Sequence, residues 1–256
     1  MSWKKIGNQV QVQRATDGDG LGRFRWNNGM KVGRNASEGF WYAKNEAFTH
    51  MPDGWTVSQA FEGDGFEAKH IKMVPILKRS QPFSVINEQA VWHAEWRQNA
   101  GMKMYTEVLC LLEGYDEPLV MTGKGWAASR ITHYKRGCFA EHAELVTGVA
   151  NRMAEKQLQP WAFWHMIGGR YDTKKQAVYV EVGTGQKTHL HDIVLSVTAP
   201  ASEELLEQLY VGDELYERAT NLYNEYVQAE WHKQKRKTAD APVSTEPAES
   251  DEDLAF

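Results

Sequence analysis

Between Lys103 and Leu112 the chain alternates with a period of two: Tyr105, Glu107 and Leu109 fall on one side, and Met104, Thr106 and Val108 on the other. This is the clearest strand in the sequence, and it constrains what surrounds it. Glu113-Gly-Tyr-Asp-Glu-Pro118 is hairpin-loop chemistry, and Leu119-Val-Met-Thr122 is the returning strand. Gly123-Lys-Gly125 breaks the pattern. From Trp126 to about Lys156 the period becomes helical, through Ala127, Ile131, Tyr134, Cys138, His142, Leu145, Val149 and Met153. Gly137 and Gly148 weaken that stretch and allow it to split into shorter helices, and Pro160 ends it.

Other strands are expected on both sides of this unit. Before it stand Phe40-Trp-Tyr42, Thr56 to Phe61, Phe66 to Leu77 and Phe83 to Ile86, with Pro75 marking an edge because it has no N–H to donate. Val91 to Arg97 reads as strand or helix, and in either form Trp92 and Trp96 share a side. After it stand Ala162 to Ile167, Ala177 to Val182 and His189 to Thr198. Ser202 is a suitable N-cap for a last helical region, which Gly212 can split. The expected class is α+β, mainly β. The order fits an OB-like Greek-key β-barrel of five strands with an inserted helix. The expected division is a flexible Gly/Asn-rich segment over 1–35, a core over 36–200, a C-terminal helical region over 201–237 and a disordered tail over 238–256.

Thr238 to Ser250 is Ala, Pro, Ser, Thr and Glu with little to bury, which predicts a disordered tether. It leads to Asp251-Glu252-Asp253-Leu254-Ala255-Phe256. Acid alone would only solubilise. An apolar hook with its own α-carboxylate has the shape of a ligand for a pocket with a basic rim. The competing reading is a frayed acidic terminus. The tail also sets the charge balance. The chain has 29 Lys+Arg and 34 Asp+Glu, net −5. Residues 240–256 carry six acids and no base; residues 1–201 carry 24 bases against 20 acids, net +4. A mildly basic body on an acidic leash suits a polyanion groove.

The tail resembles the tip of bacterial and phage single-stranded DNA-binding proteins, which end in Asp/Glu, then apolar residues and a final Phe. The whole layout is similar to a phage- or plasmid-type member of that family. The resemblance implies an OB core, binding of single-stranded DNA with low sequence specificity, no catalysis and no cofactor. It also implies recruitment of replication and recombination proteins through Asp251, Glu252, Asp253, Leu254, Ala255 and Phe256.

Cations and aromatics interleave over 78–136, as stacking of bases beside phosphate contacts requires. The candidates are Lys78, Arg79, Trp92, Trp96, Arg97, Lys103, Tyr105, Lys124, Trp126, Arg130, Tyr134, Lys135 and Arg136. Each aromatic has a competing reading as core. Gly123-Lys-Gly-Trp126 is the leading candidate, because a strand-to-helix turn brings backbone and a helix N-terminus to an anion. The alternative class is a nucleic-acid-processing enzyme or its accessory subunit, with metal dependence through His189 and His191 as one form of it, for which spacing supplies no third ligand. Asp17-x-Asp19 lacks the Glu that closes a calcium loop, and no GxSxG or GxGxxG stands out. Cys110 and Cys138 form no CxxC, no apolar run is of membrane-spanning length, and Met-Ser-Trp-Lys-Lys precedes no apolar leader segment. The expected setting is the cytoplasm, with no membrane partner and with room for homo-oligomers.

Overall fold

The structure is a computed structural model, and it describes residues 20–61, 63–87, 89–97, 101–155, 157–183 and 187–234. In chain order the strands of its first half are β1 (Gly22–Asn27), β2 (Lys31–Val32), β3 (Asn35–Ala36), β4 (Phe40–Ala43), β5 (Thr56–Val57), β6 (Phe66–Ala68), β7 (His70–Ile86) and β8 (Gln89–Trp92). The expected hairpin follows as β9 (Lys103–Leu112) and β10 (Leu119–Lys124). Helices α1 (Gly125–Thr132), α2 (Cys138–His142) and α3 (Gly148–Ala154) come next, with a π-helical turn over Ala143–Thr147 joining the last two. Then come β11 (His165–Gly169), β12 (Tyr179–Val182), β13 (Thr188–His191), β14 (Ile193–Leu195), α4 (Glu203–Leu209) and α5 (Asp213–Gln228). Ser202 caps α4, its hydroxyl accepting the Leu205 N–H at 3.3 Å.

The class is mixed α+β around one large sheet, but the sheet is not a barrel. Its order is β14-β11-β7-β9-β10-β1-β4-β6-β5, with β8 also on β7. Among the described residues no pairing joins β14 to β5, so the OB-like closure expected from the sequence is not formed. The physical reason lies in β1 and β7. Gly22–Asn27 enters the middle of the sheet, parallel to β10 and antiparallel to β4, which adds strands beyond the hairpin rather than closing on it. β7 runs for 17 residues and changes neighbours as it goes. It meets β11 over His70–Met73, β9 over Met73–Phe83 and β8 over Phe83–Ile86. Pro75 sits past the last β11 partner, beside a register shift against β9, where its missing N–H is tolerated.

β9 is buried on both faces at its C-terminal end, which is why Val108-Leu-Cys-Leu-Leu112 reads as an unbroken apolar run. Val108, Cys110 and Leu112 face a core shared with Ile131, Cys138, Val146 and Leu206 from α1 to α4. Leu109 and Leu111 face a second core with Val74, Ile76, Val120, Ala219 of α5 and Trp231. Among the described residues no helix is long and apolar enough to cross a membrane.

Candidate nucleic-acid interface

The α5 face of the sheet turns polar beyond Leu109 and Val120. Register fixes which side chains meet there. Lys124 lies opposite Tyr105, and Thr122 opposite Glu107. Arg25 lies opposite Thr122 on one side and Tyr42 on the other. Arg79 lies opposite Glu107, and Phe83 opposite both Lys103 and Trp92. Directly opposed residues share a face, so Trp92, Phe83, Lys103, Tyr105, Lys124, Arg25 and Tyr42 form one band across six strands. Lys103, Lys124 and Arg25 are successive diagonal neighbours, spaced roughly 7–8 Å by that geometry.

Arg79 is fully engaged: its Nε is 2.5 Å from Glu107 Oε2, and its guanidinium lies 4.1 Å from the Trp231 ring centroid. Arg23 Nε approaches the same buried carboxylate at 3.5 Å, and Tyr105 Oη donates to it at 3.4 Å. Arg25 has no carboxylate partner among the described residues; its guanidinium lies 5.9 Å from the Tyr42 ring centroid. Burial lowers the Lys124 pKa, and the positive charges of Arg25 and Lys103 lower it further. Burial lowers that of Arg25 as well. Lys124 is therefore a cation whose charge is disfavoured first by burial and then by its two positive neighbours. Trp92 packs edge-on against Tyr105 at 5.3 Å and tilted against Phe83 at 5.5 Å.

The other sequence candidates are elsewhere. Trp96 and Arg97 leave the strand after β8 and are exposed, Trp96 by 51%, so the two indoles do not form the expected pair; Trp92 turns to Phe83 and Tyr105 instead. Gly123-Lys-Gly-Trp126 does sit at the β10–α1 junction, with Gly125 at φ +56°. It does not act as a unit, because Lys124 belongs to the band while Trp126 packs against the core beneath the helices. Arg130 is bound to Glu141 at 2.8 Å and lies 3.6 Å from Asp192, a structural pairing. Lys78 is on the opposite face of β7 from Arg79, its Nζ 3.5 Å from the Thr132 carbonyl. Near it, past α1, are exposed Tyr134, Lys135 and Arg136, with Tyr134 stacked on His133 at 5.0 Å. The tail tip, Asp251 to Phe256, lies outside the described residues.

Sequence reasoning missed Arg25 and Tyr42. The alternation in Gly22-Arg-Phe-Arg-Trp-Asn27 was the available signal: Phe24 and Trp26 are buried, and Arg23 and Arg25 face the other way.

The two histidines of the alternative, metal-dependent reading do different work. His191 Nε2 donates to the Arg170 carbonyl and Nδ1 accepts the Gly39 N–H, both at 2.9 Å, so neither nitrogen has a lone pair to offer. His189 points outward toward Glu181. Among the described residues no group of three or more metal-ligating side chains is assembled. A second histidine pair, which the sequence did not single out, is buried beside a cleft of about 200 Å³ lined by Lys78, Phe139 and Thr147. There His142 and His165 stack with centroids 3.5 Å apart.

No protein-family model matches the chain, and neither a curated protein nor a solved structure matches it.

Proposed function

We propose that the protein is a non-enzymatic single-stranded DNA-binding protein of the bacterial cytoplasm, acting in phage replication or recombination. The observation that carries this reading is the diagonal of Arg25, Lys124 and Lys103 on neighbouring strands, with Tyr105 and Trp92 in the same band. Cations in a row follow a phosphate backbone, and aromatic rings beside them stack on bases without reading their edges. The acidic and apolar stretch Asp251-Glu252-Asp253-Leu254-Ala255-Phe256 supports the same reading, as the part that recruits a polymerase, helicase or recombination protein once DNA holds the basic band.

The test is a tryptophan-fluorescence titration with oligo-dT. Stacking on Trp92 quenches emission, and added salt reverses the binding. Equal or tighter binding to duplex of the same length rejects the proposal.

A further inference from the structure

Phe61 stands at the far end of the band from Trp92. It sits on the turn between β5 and β6, and that turn is pinned. The Gly63 N–H donates to the Ser58 carbonyl at 3.0 Å, the Asp64 N–H to the Phe61 carbonyl at 2.8 Å, and the Tyr42 hydroxyl to the Asp64 carbonyl at 2.6 Å. The Phe61 ring lies against Tyr42, centroids 4.4 Å apart, and is 36% exposed, whereas Tyr42 is only 6% exposed. Arg25 lies against the same Tyr42 ring. A partly exposed aromatic packed on a ring that itself carries a cation suits an unpaired base with its phosphate close by.

We infer that Phe61 is a second base-stacking platform, and that single-stranded DNA crosses the sheet from Trp92 to Phe61 instead of following one strand. The inference rests on the single-stranded DNA reading above. Five inter-strand steps separate β8 from β4, a span of ~24 Å along the sheet. A fully stacked strand advances 3.4 Å per nucleotide, so about seven stacked nucleotides bridge the two platforms, and fewer when extended.

The experiment is an oligo-dT length series from two to twelve nucleotides, read by anisotropy, with wild type, Phe61→Ala and Phe61→Leu. Phe61→Leu keeps an apolar contact with Tyr42 but removes the ring, and thermal melting checks that each variant is folded. For wild type the affinity rises with length and flattens by about seven nucleotides. Both variants lose at least about fivefold in affinity for the longer oligomers and match wild type at two and three nucleotides. Variants that bind every length like wild type overturn the inference and leave the DNA-binding reading standing. Absence of binding by wild type at every length removes the reading itself.

Discussion

Arg79 Nε lies 2.5 Å from Glu107 Oε2, and Glu107 is buried in the middle of the basic band. This carboxylate holds Arg79, draws in Arg23 and accepts from Tyr105. Glu107→Gln keeps the shape and removes the negative charge that faces two largely buried guanidinium groups. The expected loss is about 3 kcal/mol of stability, read as a lower urea midpoint with an unchanged slope. A midpoint equal to wild type would mean the pairing adds nothing to the fold.

Arg25 and Lys124 should set the salt dependence of binding. Each cation removed from a single-strand site lowers the slope of log affinity against log salt by about 0.7. Arg25→Ala and Lys124→Ala are therefore expected to weaken oligo-dT binding at low salt and to flatten that slope by this amount each. Trp126→Ala is the contrast, since its indole packs on the helix-side core. It should lower stability by roughly half of the ~3–5 kcal/mol of a fully buried Trp→Ala change and leave DNA affinity alone. Isothermal titration at three salt concentrations, with melting curves on the same samples, separates these outcomes.

His142 and His165 give the fold an acid limit. Burial moves the His142 pKa down to about 4, and burial together with His142 moves His165 well below the ordinary value. Neither His142 nitrogen completes a hydrogen bond, although the Trp164 carbonyl nearby raises its basicity slightly. The unfolded chain therefore binds more protons than the folded one between about pH 6.5 and 4. Stability is complete above that window and falls as pH is lowered through it, by about 3 kcal/mol for His142. His142→Met should flatten this limb in urea titrations at a series of pH values; an unchanged limb would locate the acid sensitivity elsewhere.

The tail makes a separate prediction. Removing Asp251 to Phe256 should leave the melting temperature unchanged, raise DNA affinity modestly at low salt and abolish recruitment of the partner protein. Surface-plasmon-resonance binding of the full and shortened chains to a replication or recombination partner checks this; weaker DNA binding with intact recruitment would reduce the acidic segment to a solubilising one.

The parts legible in the sequence were those whose pattern is local. The β9–β10 hairpin follows from strict alternation and a loop of turn residues, and the α4 cap from Ser202. β1 was hidden because Asp-Gly and Asn-Gly turn signals flank it, and its place is decided by pairing with β10, far along the chain. β7 read as two strands because Lys78 to Gln81 looks polar; those residues are held by Glu107, Thr106 and the partner strand β9. The band was half visible. Lys103, Tyr105 and Lys124 stand out in the sequence, but only the register brings Arg25 and Tyr42 to them, and only packing removes Trp126 and Arg130.

The parallel contact of β1 with β10 also sets a clock on synthesis. Gly22 pairs with Leu119, so about 100 residues must leave the ribosome before one side of β1 finds its neighbour. At ~5–20 residues per second that wait is about 5–20 s, during which β1 can pair with β4 alone and keeps a bare edge. Nascent chains stalled before Lys124 are then the form most exposed to edge-to-edge association, and the finished chain should fold slowly for its size because its central pairing is so distant in sequence.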